Sequence, residues 1–416
     1  MHRRLAFIII LAAAALCSPD YVVLNVLGET LSAGSWLSPP ENDLAAVGSM
    51  PNQILPGSGS GVWVVASGNS RIQRLDVSPT SAAVVEEISL PAGSNPYLMY
   101  ILGDTLYTSL WVTGGLGIVD IGSGIAEATD SFCLGPQGIF ADGDYVYVSE
   151  GNMNPITYEY GQGRLHRLTR SGAHLDYVDI GTNPQQIIRG PDGNLHVVCT
   201  GDYVSSFGMV YIVDPAAFIV TDSVELGGSP ARLAVDSESG IIYSATSVWG
   251  TSGSGRVLAY DGVTHEVIWD SGDWENAVSG TGLSGLAAFG GYIYLPSMDS
   301  SRVEIVQVSG DSLIKVGNYA AGHGAFDVCL LDETDIDERE VPEHVELRAY
   351  PVPFNSSCKV VSECERLEIY DIGGRLVDEV TLSDGGGVWT PEWSLPSGSY
   401  LIKSPGGNAI PVVYLK

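Results

Sequence analysis

Seven times along this chain a Gly- or Asn-led turn, usually followed by Pro, gives way to a short apolar strand. The starts fall near Asn52, Asn95, Gly135, Asn183, Ser229, Leu283 and His323, at spacings of 43, 40, 48, 46, 54 and 40 residues. A period of about 40 to 50 residues with several short strands in each unit is the pattern of β-propeller blades. One unit reads as an inner strand Ala231–Val235, a turn Asp236–Gly240, a second strand Ile241–Ser244, a third Arg256–Asp261 and a fourth Glu266–Trp269. The same order recurs in Gln137–Phe140, Tyr145–Ser149, Gly163–Leu168 and Asp176–Ile180.

The last start supplies only Phe326–Leu331 before the sequence turns acidic. The strands it lacks are available at the other end, in Tyr21–Asn25, Glu29–Ala33 and Asp43–Val47. Six intact blades and one blade shared between the two ends make seven. Pairing the ends in one sheet closes the ring and removes the strand edges that would template aggregation. The expected fold class is therefore all-β: a seven-bladed β-propeller over residues 20–331, followed by a small C-terminal immunoglobulin-like β-sandwich.

The blade grammar resembles the YVTN-type propeller family, in which an inner strand passes through Asp-x-x-Gly to a Tyr-Val-x-Asn-like strand and then a Val-x-Val-Ile-Asp-like strand. The echoes are Pro191–Val198, Met209–Asp214 and Ile72–Asp76. The resemblance implies a fold and no activity, because propellers host many unrelated functions.

The two ends of the chain carry export signals. Met1-His2-Arg3-Arg4 is a basic head before the wholly apolar run Leu5–Leu16. That run is too short for the about 20 residues a membrane-spanning helix needs and reads as a signal peptide over 1–19. Cys17 follows Leu16 and not a small residue, which favours ordinary cleavage over lipidation. At the other end stand Ala349-Tyr350-Pro351-Val352-Pro353-Phe354-Asn355, then Leu367–Val377 with Tyr370-Asp371-Ile372-Gly373-Gly374-Arg375, then Ser397-Gly398-Ser399-Tyr400. This succession resembles the C-terminal sorting domain of the type IX secretion system, with Val352 where that family has Asn. The resemblance covers residues 346–416. It implies passage to the outer surface or the medium of a Gram-negative bacterium, with the secretion machinery as a partner.

Lys and Arg number 19 against 49 Asp and Glu, a formal charge of -30, which opposes nucleic acid and anionic membranes as partners. With 51 Gly and 22 Pro beside 45% hydrophobic residues, the composition suits many strands joined by turns and not disorder. Residues 332–345 read as an acidic linker. Glu333, Asp335 and Asp337 alternate as calcium ligands do, but the Gly and the spaced Glu of an EF-hand loop are missing. Cys133, Cys199 and Cys329 read as small buried thiols within apolar strands. Cys358 and Cys364 leave a local disulfide open.

No nucleophile elbow, paired-His zinc motif, Cys-x-x-Cys or phosphate loop occurs, and neither a cofactor nor a metal is expected. Gly57–Gly61 is a turn between strands. His166, His174, His196 and His265 lie in or beside outer strands as satisfied or exposed residues, whereas His323 precedes the inner strand of the shared blade. Loops that lead into inner strands and loops that join strands two and three share one propeller face, the default binding surface. The loops of that face are aromatic: Trp111, Tyr158, Tyr160, Tyr203, Phe207, Trp249 and Trp274. Their acidic companions are Glu150, Asp202, Asp273 and Asp299. The candidate ligand-binding set is Trp111, Glu150, Tyr158, Tyr160, Tyr203, Trp249, Trp274 and His323, with no catalytic residue assigned. The reading favours a noncatalytic binding protein for a glycan, peptide or surface protein. The alternative is a propeller lyase or hydrolase with His323 at the channel mouth.

Overall fold

The computed structural model describes residues 21–35, 38–78, 80–154, 156–247, 255–270, 282–309, 312–331, 348–350, 357–362, 366–371, 375–382, 386–391, 395–403 and 409–414. The signal peptide, the linker 332–345, Cys364, Trp249 and Trp274 lie outside them. Two units divide the chain, Met1–Asp337 and Glu338–Lys416.

The first unit is a ring of seven four-stranded antiparallel sheets. Blade 1 takes its inner strand, Ala325–Leu330, from the C-terminal end of the unit and its other three, Tyr21–Asn25, Thr30–Gly34 and Glu41–Ala46, from the N-terminal end. Blades 2 to 7 follow in chain order, their inner strands being Pro51–Pro56, Pro96–Leu102, Pro136–Ala141, Pro184–Arg189, Leu233–Val235 and Ala287–Phe289. The inner strands touch one another in cyclic sequence, with Ala325–Leu330 lying between those of blades 7 and 2. The two ends pair in one sheet as expected, with Val22 facing Cys329 and Val23 facing Val328.

Local sequence explains the repeat. Met50, Asn95, Gly135 and Asn183 hold φ of +50°, +50°, +64° and +54° immediately before the Pro that opens an inner strand. Asn and Gly tolerate this left-handed turn. Pro is at home as the first residue of a strand, where its missing N–H breaks no interior ladder. Second strands such as Gly61–Ala66 are buried along their whole length because neighbouring blades cover both faces, while outermost strands such as Ser81–Ser89 are mostly exposed. The apolar clusters accordingly run between blades. Leu98, Tyr107 and Leu116 of blade 3 pack with Ile139, Val146, Val148 and Leu168 of blade 4. Tyr21, Val23 and Val328 of the closing blade pack with Tyr294, Val303 and Ile305 of blade 7.

A polar latch repeats between blades. In blades 2 to 5 a hydroxyl near the end of the second strand donates to the backbone near the start of the next inner strand: Ser67 to Pro96, Ser109 to Gln137 (2.6 Å), Ser149 to Gln185 (2.8 Å) and Thr200 to Pro230 (2.7 Å). Inner-strand side chains accept backbone N–H groups in the same sense of rotation. Asp327 takes Ile54, Gln53 takes Met99 and Gln186 takes Leu233, at 3.1, 2.6 and 2.7 Å. Backbone groups that no ladder satisfies thus find partners in the neighbouring blade, as buried polar groups require.

Two details differ from the sequence reading. Cys133 lies in the loop between blades 3 and 4, half-buried, and not in a strand. The inner strand of blade 6 is shorter than expected, Leu233–Val235, and just before it the Arg232 carbonyl accepts the Ser244 hydroxyl (2.9 Å).

The second unit is a β-sandwich. One sheet holds Arg348–Tyr350, Cys358–Val361 and Gly386–Trp389. The other orders Leu376–Thr381, Arg366–Asp371, Gly398–Lys403 and Ala409–Tyr414. Its core is its own, built on Leu367, Ile369, Trp389, Tyr400 and Ile402. Tyr400 is 3% exposed, sets its ring edge-on against Trp389 at 5.5 Å and donates its hydroxyl to the Pro396 carbonyl at 2.7 Å.

Candidate functional site

On the face carrying the connections between strands two and three, the loops of blades 4 and 5 stand side by side. The blade 4 loop, between Tyr145–Glu150 and Arg164–Thr169, folds as a small hairpin in which Met153 pairs with Tyr160. The Asn154 carboxamide accepts the N–H groups of Ile156 (2.9 Å) and Thr157 (3.2 Å) and so fixes the tip. The blade 5 loop, between Leu195–Cys199 and Met209–Asp214, winds around Asp202, which accepts the N–H groups of Val204, Ser205 and Ser206 at 2.9, 2.7 and 2.7 Å and the Ser205 hydroxyl at 2.5 Å. The Ser205 hydroxyl, followed by those amides, holds the Asp202 carboxyl well below the usual carboxylate range.

These two frames push apolar side chains into water. Ile156, Tyr158, Tyr203, Val204 and Phe207 are 85%, 72%, 47%, 82% and 55% exposed. Tyr158 and Tyr203 also hold φ of +60° and +64°, a costly backbone region for bulky residues that persists where the surrounding loop enforces it. The rings of Tyr160 and Tyr203 meet at 6.3 Å and join the loops. Burial first, then the neighbouring Tyr203 and Tyr97, push the Tyr160 hydroxyl up to about 12. Beneath them Asn183 accepts from both Gln137 and Gln185 at 2.8 Å, a buried amide platform that fixes the floor.

The other expected residues do not converge on this patch. Trp111 is half-buried, with its indole against Gly135 of the following blade. Glu150 is 3% exposed, and its oxygens are taken up by the Leu134 N–H (2.7 Å), His166 Nε2 (3.0 Å) and Arg164 (3.5 Å). Burial pushes the Glu150 carboxyl up, but His166, Leu134 and the charge of Arg164 outweigh it and hold it below its ordinary value. His323 is exposed, its carbonyl accepting the Gly28 N–H at 2.8 Å, and among the described residues no carboxylate lies within hydrogen-bond reach of its ring. Asp299 is exposed beside Gly282.

The central channel contains a cavity of about 420 Å³ lined mainly by Ile, Leu, Val and Ala, with Gln53, Gln186, Arg232 and Asp327 as its polar groups. Burial raises the Asp327 carboxyl above its ordinary value, and the Arg232 charge opposes this. Arg232 also reaches the Asn52 carbonyl at 3.4 Å. Arg232 and Asp327 thus brace inner strands across the channel.

Sequence reasoning missed two relays between distant histidines and carboxylates. Glu150, His166 and His174 are linked at 3.0 Å each beneath Phe132. On the face carrying the turns between strands one and two, Asp192 of blade 5 bonds His196 Nε2 at 3.0 Å and His265 Nε2 of blade 6 at 3.1 Å. His265 Nδ1 meets Asp222 at 2.8 Å and His196 Nδ1 meets Tyr260 at 2.9 Å. Burial pulls the His265 imidazole down, but Asp222 and Asp192 outweigh it and raise it, whereas burial keeps His196 low. The available signal was positional: Asp192 lies in a turn between strands one and two and His265 in a turn between strands three and four, and both kinds of turn lie on one face.

No family model matches the chain, and no curated protein matches it. Solved structures do. A 6-phosphogluconolactonase candidate from Bacteroides fragilis aligns with TM-score 0.58 at 10% identity, over 77% of this chain and 99% of its own. A similar candidate from Bacteroides uniformis gives 0.56 at 10% identity, over 75% and 98%. A protein of unknown function from Desulfotomaculum acetoxidans gives 0.56 at 14% identity, over 76% and 99%. At such identities the likeness shows the propeller fold alone.

Proposed function

We propose that this chain is an exported, noncatalytic binding protein, a YVTN-type propeller delivered by a C-terminal sorting module, and that the paired loop tips of blades 4 and 5 hold a protein partner. The observation that carries the reading is the five-residue apolar patch, Ile156, Tyr158, Tyr203, Val204 and Phe207, fixed by hydrogen bonds inside each loop. Exposed aromatic anchors next to aliphatic tips suit a protein hot spot. Sugar faces would stack on the rings but gain little from Ile156 and Val204. The fixed backbone lowers the ordering cost of association. An enzyme at the channel mouth would call for His323 paired with a carboxylate, and its ring has no such partner among the described residues.

Export rests on the basic head and apolar run at Met1–Leu16 and on three ordered motifs over 346–416. Two of those motifs fall on Arg366–Asp371 and Gly398–Lys403, adjacent strands of one sheet.

The test pairs a glycan array with a binding screen of the full chain against purified surface and secreted proteins. Ile156→Ser, Val204→Ser and Phe207→Ser serve as the combined variant, since these positions avoid the left-handed backbone of the two tyrosines. A saturable protein ligand whose affinity falls at least about tenfold in the variant is expected, each anchor contributing on the order of 1 kcal/mol. Glycan binding lost in the same variant, or turnover of a substrate unaffected by it, would overturn the reading.

A further inference from the structure

We propose that Asp192, His196 and His265 form a binding site for one divalent transition-metal ion of the zinc class, joining blade 5 to blade 6 on the face opposite the loop patch. One ligand atom from each residue lies within 4.8 Å of the other two. Two imidazole nitrogens and one carboxylate oxygen are a donor set that selects Zn²⁺ and its neighbours over Ca²⁺ or Mg²⁺, which take oxygen ligands.

The surroundings are those of a built site. Side-chain exposures of His196, Asp192 and His265 are 0%, 9% and 13%, so the donors are shielded yet reachable from one side. Each ring is oriented through its second nitrogen, His265 by Asp222 at 2.8 Å and His196 by the Tyr260 hydroxyl at 2.9 Å. A carboxylate or hydroxyl on the far nitrogen of a ligating histidine is the usual supporting shell of a zinc site. Asp192 is fixed in turn by the N–H and carboxamide of Asn194 at 3.0 and 2.6 Å.

An incoming ion takes the place of the protons that now link both Nε2 atoms to Asp192. His265 keeps its Nδ1 proton on Asp222 and releases the Nε2 proton to solvent. His196, a neutral ring whose one proton faces Asp192 from Nε2, changes tautomer through exchange with solvent, so that Nε2 is free to ligate and the proton sits on Nδ1 facing the Tyr260 oxygen. Three protein donors leave a fourth position of a tetrahedral ion open to water or to an anionic group of another molecule.

The experiment uses the untagged full chain, stripped with chelator and titrated with ZnCl₂ by calorimetry, with Co²⁺ as a spectroscopic probe. One equivalent of Zn²⁺ per chain, visible ligand-field bands with Co²⁺ and a metal-dependent rise in melting temperature are expected. His265→Asn tolerates the left-handed φ of +62° at that position, and Asp192→Asn keeps the side-chain shape. Both should abolish the equivalent, and Asp222→Asn should weaken it about 10- to 100-fold without changing the stoichiometry. Circular dichroism checks that each variant is folded. A folded wild-type chain that takes up no Zn²⁺, or uptake that folded His265→Asn leaves unchanged, would overturn the site.

Discussion

Ser149 shows how a single small residue ties two blades. Its hydroxyl accepts the Gly138 N–H at 2.7 Å and donates to the Gln185 carbonyl at 2.8 Å, serving its own inner strand and the next one together. Ser149 is fully buried, so its removal leaves two backbone groups without water. Ser149→Ala should therefore cost about 2 kcal/mol, read as a lower urea midpoint with unchanged slope. Gly138 completes the same joint, since a Cβ there would stand 1.8 Å from the Gln185 carbonyl oxygen. Because that obstacle is backbone, Gly138→Ala should lower the midpoint further than Ser149→Ala does. An unchanged midpoint for either variant would show that the joint relaxes freely.

At the scale of the element, the loops of blades 4 and 5 owe their shape to one acceptor each, Asn154 and Asp202. Asp202→Ala removes the acceptor of three amides, and hydrogen exchange at Val204, Ser205 and Ser206 should quicken at least about fivefold while the strands of blade 5 keep their protection. The sign of the pH effect follows from the lowered carboxyl. The contribution is present above the ordinary Asp pKa of about 3.9 and is lost only as pH falls through the lower folded value, so the three amides should stay protected where ordinary carboxylates already titrate. Early loss of protection near pH 4 would contradict this. Much of the element level was legible in the sequence: the turn before each inner strand, the apolar second strands and the partition of blade 1 follow from local chemistry repeated seven times. The aromatic loops were legible too, because Tyr158, Tyr203 and Phe207 lie between strands two and three. Which way Glu150 turned was not, since the choice depends on His166, sixteen residues on, and on the Leu134 N–H of another connection. The meeting of Asp192 with His265 was hidden for the same reason. It depends on the packing of two blades, and no local period encodes that.

For the whole molecule the decisive contact is the pairing of the two ends in blade 1. Ala325–Leu330 lies hydrogen-bonded along Tyr21–Asn25, and without it the closing blade would present the unpaired edge of Tyr21–Asn25, a fully buried strand of Tyr, Val, Val, Leu and Asn. Such a flat apolar edge templates pairing with another chain. The same strand also places Asp327 to accept the Ile54 N–H, so its loss loosens the first latch of blade 2. Local damage to this strand therefore becomes damage to the ring, whereas equal damage to an outermost strand stays local. Val328→Pro takes away the N–H that serves the Asp327 carboxyl and forces a ring into the buried strand paired with Val23, and should destabilise the propeller by about 3 kcal/mol or more. It should also shift the protein from monomer to larger species in size-exclusion chromatography with light scattering. The C-terminal sandwich, whose core contains no propeller residue, should keep its own cooperative melting in that variant. If Val328→Pro left a monomer with its propeller midpoint unchanged, the seam would contribute nothing, and stability would have to be assigned to pairwise packing of blades around an open ring.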